Sequence, residues 1–487
     1  MRAADSVRSG RAAPERGALA LVLHTHMPYV EGFGTWPFGE EWLWEAMATC
    51  YLPLLEVLRS GAPLTLSMTP VLCDQLAAPG IGEHFLPFVR EVRGFTHRAD
   101  IEGCDAGGQP LLARELERSL ADYQRAAESF DALGGDLLGA LAPYAQWTSS
   151  ATHAVLPLLA TDAGARLQIQ AGIDSHRARF GRGWRGGFWL PECAHVPWLD
   201  PLLEQAGVRA CCVDLTDVYG LGAAEHLQPL RSPAGPLLVP IDRQTIELVW
   251  SDAGYPAHGR YRDYHHRTTH DHRPWGNDGR PYDPQAARTL AAGHAADFVA
   301  RVRARLQGSD QDAPLVVCAL DTELLGHWWY EGIWWLESVI EQAEAQGLAL
   351  ARLDDALERH PPAPAPPDLP TTTWGSPRDL STWDGPRVAD LAWAARAAEL
   401  RLVAAAHRSP EDRQAALRDR RALRELLALQ SSDWTFMVTR ELAGPYPRQR
   451  AQGHLEALEA ALGPIGSPRE GIRNLATHAS SAPLLAP

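Results

Sequence analysis

Leu315-Val316-Val317-Cys318-Ala319-Leu320 runs straight into Asp321-Thr322-Glu323-Leu324-Leu325-Gly326-His327-Trp328-Trp329-Tyr330. An unbroken apolar run, entered through Pro314 and left through a carboxylate, reads as a strand buried on both faces. Strands of that kind belong to parallel sheets covered by helices. The helical pattern Ile333–Gln346, just downstream, is one such cover.

The same pattern recurs outward along the chain. Ala18–Leu23, Pro63–Met68, Gly187–Leu190, Val208–Val213 and Pro236–Ile241 are short apolar runs bounded by turn residues, each read as a buried parallel strand. Longer helical patterns at Leu111–Leu133 and Pro284–Leu306 separate them. Strands alternating with helices predict an α/β fold. The 487 residues leave room for a barrel and an appended domain. Residues 361–370, PPAPAPPDLP, cannot be helix and read as a stiff connector. Residues 387–460 are helical in pattern and rich in Ala, Leu, Arg and Glu. The expected organisation is a disordered tail at 1–16 and a barrel domain at 17–360 with a helical insertion around 80–135. A Pro-rich linker at 361–372, an all-α domain at 373–462 and a disordered tail at 463–487 complete it.

Composition narrows the function. The 45 basic and 60 acidic residues give a formal charge of -15, which argues against nucleic acid as a partner. Trp, at 17, outnumbers Tyr at 11 and Phe at 10. Indole faces stack on sugar rings, so the excess favours a carbohydrate ligand, with a Trp-rich core as the alternative. The seven cysteines are scattered and lack a C-x-x-C, and read as reduced, buried thiols of a cytoplasmic protein. The run Ala18–Leu23 follows four arginines but is too short for a signal-peptide core, and no run of 18 apolar residues spans a membrane.

In α/β barrels the reactive side chains sit just past the C-terminal ends of strands. Three ends qualify: His24-Thr25-His26, Pro191-Glu192-Cys193-Ala194-His195, and Asp321-Thr322-Glu323. Glycoside chemistry uses two carboxyl groups, about 5–5.5 Å apart in a retaining mechanism. Glu192 and Asp321 are the natural pair, with Trp328 and Trp329 as an apolar wall that keeps an acid protonated. Glu323, two residues from Asp321, is a rival that strand alternation does not separate. Each carboxylate taken singly reads more readily as a salt bridge or helix cap. His24 and His26 point the same way from a strand, so they fit a metal, sugar hydroxyls or the core.

Several motifs in order resemble glycoside hydrolase family fifty-seven, and within it the branching members. They are His24–Tyr29 with Trp36-Pro37-Phe38-Gly39-Glu40-Glu41-Trp42; Thr148–His153; Gly187–Ala194; Val249-Trp250-Ser251; Asp321–Gly332; Trp374-Gly375 with Ser381-Thr382-Trp383; and Ser432-Asp433-Trp434 followed by Tyr446, Arg450 and His454. The resemblance implies an incomplete (β/α)7 barrel with a helical insertion and an all-α C-terminal domain. It implies Glu192 as nucleophile and Asp321 as general acid/base of an enzyme that cleaves α-1,4-glucan and re-forms the bond as an α-1,6 branch. An α-amylase-like hydrolase of the same family is the alternative. His24, His26, His153, His327 and Asp433 would contact sugar, and Trp36, Trp250, Trp328, Trp374, Trp383 and Trp434 would form aromatic platforms. It implies no metal and no cofactor, and a monomer is expected. Branching members carry a long loop tipped by a tyrosine; here the segment between Asp214 and Asp242 is short, with Tyr219 near its start.

Overall fold

The structure is a computed structural model that describes residues 17–233, 235–407, 420–463 and 473–485. Strand β1 (Ala18–Thr25) is buried at every position. It lies parallel to β2 (Thr65–Met68) on one side and β8 (Leu315–Asp321) on the other. With β3 (Ala145–Ser149), β4 (Gly187–Trp189), β5 (Ala210–Val213) and β7 (Leu237–Pro240), they form a parallel sheet in the order β7-β5-β4-β3-β2-β1-β8. The sheet curls until Asp242 N, just past β7, donates to Val317 O of β8 at 2.8 Å. The ends touch without forming a strand ladder, so the barrel of seven parallel strands is incomplete. Short strands β6 (Leu230–Arg231) and β10 (Ala363–Pro364) extend the β7 edge, and β9 (Ala349–Leu350) pairs with the start of β1.

Register decides which side chains meet. His24 of β1 is opposite Asp321 of β8 and Ser67 of β2, and Ser149 of β3 is opposite Trp189 of β4. Because all seven strands run the same way, their polar C-terminal ends gather on one rim. Between β2 and β3 the helices Ile81–Pro87, Arg93–Ala106 and Pro110–Ala132 form the insertion.

Strand β3 escaped the sequence reading because Gln146, Thr148 and Ser149 break its apolar run. Their side chains serve neighbouring backbone: Gln146 Oε1 accepts from Leu66 N at 2.8 Å, and Ser149 Oγ donates to Trp189 O at 2.8 Å. Polar groups that bond within the sheet can be buried at little cost.

The helices Ala389–Ala406, Arg421–Leu429, Ser432–Thr439 and Tyr446–Leu462 pack around Leu402, Leu426 and Leu458, in one apolar cluster with Tyr29, Ala151 and Leu167 of the barrel. Burial of that shared surface, at ~25 cal/mol per Å², fixes the helical domain to the rim. Two expectations are corrected. The Pro-rich stretch is more than a connector: Ala363 N donates to Pro229 O and Ala365 N to Arg231 O, both at 2.9 Å, so it closes the sheet as an edge strand. The tail expected from 463 onward does not hold for 473–485. There Leu475 and Leu484 are fully buried, and Ala476 N donates to Asp74 Oδ2 at 2.6 Å. The tail expected at 1–16 lies outside the described residues. All seven cysteines are free and buried, and no helix among the described residues is long and apolar enough to cross a membrane.

Candidate active site

The rim opens into a cleft of about 1450 Å³. Glu192 enters it from the turn after β4. Gly187 opens that strand because a Cβ there would lie 2.1 Å from the Trp147 indole nitrogen. Glu192 and Cys193 then take left-handed backbone (φ 61° and 49°), as does His153 (φ 59°). Each such residue carries roughly 1–2 kcal/mol of strain. At Glu192 it is held by its own carbonyl, which accepts from Trp374 N at 3.0 Å and Thr373 Oγ1 at 2.8 Å. Left-handed backbone of this kind clusters at active sites and ligand clamps.

The two carboxyls have opposite surroundings. Glu192 Oε2 accepts from Trp374 Nε1 at 3.0 Å and Oε1 from Ser432 Oγ at 3.2 Å. Burial pushes this carboxyl up to about 7, while those two donors oppose the rise by favouring the ionised form. Asp321, at the end of β8, has no hydrogen bond to its carboxyl among the described residues. Burial first, then the negative fields of Glu323 and Glu192, hold it well above the usual carboxylate range. One carboxyl supplied with donors beside another denied them is the arrangement that divides nucleophile from acid.

Packing distinguishes Asp321 from Glu323. Glu323 is 3% exposed and lies in the turn Thr322–Leu324, where its Oε1 accepts from Tyr51 OH at 2.6 Å and His26 N at 3.1 Å. It braces the floor; the unengaged carboxyl is that of Asp321.

Three imidazoles stack above the floor. His24 lies on Trp189 at 4.4 Å, and His26 on His153 at 4.1 Å. His24 Nε2 and His153 Nε2 are 3.0 Å apart, so one donates and the other accepts. Burial, then the neighbouring imidazoles, drives both well below the ordinary histidine range and keeps them neutral. His26 differs. Burial alone would lower it, but Asp433, whose Oδ1 lies 3.0 Å from Nε2, raises it. Among the described residues, no three His, Cys, Asp or Glu side chains converge as a metal site.

The expected sugar contacts fall into two groups. His24, His26, His153, Trp36, Trp250, His327, Trp328, Trp374, Trp383 and Asp433 all border the cleft. Trp36 stands 60% exposed at its mouth, and Trp250 and Trp328 meet edge to face at 5.7 Å. Trp434 does not border it. It is 1% exposed, its Nε1 donates to Ala428 O at 2.8 Å, and it lies under Arg450 and beside His454. Its role as a platform is therefore corrected to a core residue. Helical geometry gives the reason: Asp433, Phe436, Met437 and Arg440, spaced i, i+3, i+4, i+7, form the face that borders the cleft, and Trp434 is turned a quarter-turn away. That spacing was readable in the sequence and identifies Phe436, Met437 and Arg440, which motif reading passed over. Ser432 and Tyr51 were also missed, and only tertiary structure brings them in.

The segment between Asp214 and Asp242 folds back on the barrel, with β6 antiparallel to β7. Tyr219 ends the short helix Thr216–Tyr219 and does not border the cleft.

Comparison with known proteins gives a consistent picture. A family profile described as glycosyl hydrolase family 57 matches residues 147–366, and one described as the C-terminal domain of 1,4-alpha-glucan branching enzyme matches 394–480. A probable 1,4-alpha-glucan branching enzyme of Mycobacterium tuberculosis is 34% identical over 527 residues, covering 94% of each chain. Among solved structures, the branching enzyme of Pyrococcus horikoshii superposes with a TM-score of 0.84 at 30% identity, covering 92% of this chain and 90% of that one. That of Thermococcus kodakaraensis, in complex with glucose and additives, gives 0.84 at 27%, covering 96% of both.

Proposed function

The chain belongs to glycosyl hydrolase family 57, and from that premise we propose that it acts as a 1,4-α-glucan branching enzyme with Glu192 as nucleophile and Asp321 as general acid/base. The observation that carries this reading is the contrast between the donor-held carboxyl of Glu192 and the bare carboxyl of Asp321.

In the first step Glu192 attacks the anomeric carbon while Asp321 gives its proton to the departing 4-oxygen, leaving a β-linked glycosyl ester and a shortened glucan. In the second, Asp321 takes the proton of a 6-hydroxyl whose oxygen displaces Glu192, forming an α-1,6 bond with net retention. Trp374 Nε1–H and Ser432 Oγ–H hold the carboxylate as it forms the ester and again as it leaves. The neutral His24 and His153 border the cleft beside the nucleophile without adding charge.

Water competes with the 6-hydroxyl, so transfer needs an oriented acceptor; orientation of this kind is worth effective molarities of about 10⁵ M or more. Trp36, Trp383 and the Phe436–Arg440 face are the acceptor walls. We place the enzyme in the cytoplasm as a monomer, which the free buried thiols and the supply of the whole site by one chain support. The curtailed 214–242 segment favours a second reading, a hydrolase with weak transfer. Incubation with amylose separates them. Proton NMR should find new α-1,6 linkages well in excess of new reducing ends, because transfer frees none and only hydrolysis does; a ratio far below one would make the enzyme a hydrolase.

A further inference from the structure

The nucleophile sits in the barrel, but one of its two donors does not. Ser432 opens the helix Ser432–Thr439 of the C-terminal domain, and its hydroxyl crosses the junction to Glu192 Oε1 at 3.2 Å. The same hydroxyl is 2.9 Å from His153 Nδ1, and its backbone N–H donates to His153 O at 3.2 Å. A hydroxyl has one proton to give and two lone pairs with which to accept. If Ser432 gives its proton to Glu192, it must accept from His153 Nδ1–H. His153 Nε2 is then bare and accepts from His24 Nε2–H at 3.0 Å, and His24 Nδ1 is left to accept from Ser67 Oγ at 3.5 Å.

Every hydrogen bond from Ser67 through His24, His153 and Ser432 thus points toward Glu192, and each neutral imidazole is held in one tautomer. Reversing the chain would turn the Ser432 proton toward His153 and leave an acceptor facing a carboxylate. Chains aligned in one direction strengthen each link.

We propose that Ser432 is a positioning residue through which the helical C-terminal domain orients the Glu192 carboxylate and sets the direction of the His24–His153 hydrogen-bond chain. The inference rests on Glu192 being the nucleophile, and makes docking of the helical domain a condition of that residue's competence. The adjacent Asp433 anchors the junction a second time, taking His26 at Oδ1 and Ser431 Oγ at Oδ2.

The charged and titratable groups around this carboxyl are His24 from β1 and His26 just after it, His153 after β3, Asp433 from the helical domain, and Asp321 with Glu323 behind it from the β8 end. Of these only His26 carries favourable charge, and it is shared with Asp433. Trp374, His26 and Ser432 are the groups that favour the ionised form, and Ser432 is the one that the helical domain supplies.

Loss of the Ser432 donor raises the proton affinity of Glu192, so the acid limb of kcat/KM moves to higher pH. A donor to a charged group is worth about one to two pH units. Ser432→Ala should show that displacement, with a roughly ten- to hundredfold loss at pH 6 and the alkaline limb, set by Asp321, in place. Ser432→Thr keeps the hydroxyl and should restore the limb. Infrared difference titration of wild type and Ser432→Ala, each against its Glu192→Gln counterpart, reads the protonated carboxyl without requiring turnover and should show the same displacement. An unmoved acid limb and an unmoved infrared titration overturn the inference while leaving the function intact. Activity on amylose that survives Glu192→Gln instead overturns the assignment on which it rests.

Discussion

Burial of Glu192 should make the protein less stable than the same fold without that charge. Its carboxyl is raised from an ordinary 4.5 to about 7, and its side chain is only 15% exposed, so solvent relieves little of the penalty. At ~1.4 kcal/mol per tenfold change in proton affinity, the charged form costs the folded state ~3 kcal/mol. The sign follows from proton binding. Between pH 4.5 and 7 the folded protein keeps a proton that the unfolded chain has lost, so stability falls as pH rises through that window and then levels. Glu192→Gln keeps an acceptor for Trp374 and a partner for Ser432 but cannot ionise. Unfolding entropy of ~2 cal/mol/K per residue over a chain this long gives roughly 1 °C per kcal/mol, hence a gain of ~3 °C. Scanning calorimetry should find that gain at pH 8 and see it vanish at pH 4.5, with the exposed Glu102→Gln as control. A variant that melts no higher than wild type at pH 8, or whose gain persists at pH 4.5, would refute the reasoning.

Two further outcomes test the site. Asp321→Ala should be slow on amylose yet, on an activated α-glucoside with a good leaving group, regain turnover with azide, which attacks the β-linked glycosyl ester without a base and gives an α-glycosyl azide; if azide rescues Glu323→Ala instead, the acid/base is Glu323. Trp434→Ala should lower stability by ~3–5 kcal/mol as a core truncation, whereas Trp36→Ala should leave the melting temperature unchanged and cut transfer roughly ten- to hundredfold, the worth of ~1–3 kcal/mol of stacking.

The strands were legible where burial on both faces leaves a continuous apolar run, as in β1 and β8, because nothing in such a run competes with strand formation. Strand β3 was not, since its buried polar side chains are satisfied by partners more than thirty residues away. The carboxyl pair was legible for a related reason: a charged residue ending an apolar run must leave the core at the rim. The different packing of Asp321 and Glu323 was not, because Glu323 is held by His26 N, just past β1, and by Tyr51 OH from the helical segment Met47–Tyr51. Trp434 shows the opposite failure, in which residue type outweighed helical phase.

One wall of the cleft and one of the two donors to the Glu192 carboxyl belong to one short helix. Phe436 and Met437, with the C-cap residue Arg440, border the cleft from the same helix whose first turn carries Ser432 and Asp433. The 214–242 segment offers no substitute, since it is paired into the barrel edge and held by the surface pair of Asp217 and Arg378 at 2.7 Å. An acceptor wall and a carboxylate donor on separate elements could vary independently. On one rigid helix they move together, so displacement of that helix admits water at the same moment that it withdraws the Ser432 hydroxyl from Glu192. On the proposed mechanism, the state that exposes the glycosyl ester to water is the state in which Glu192 has lost one of its two donors.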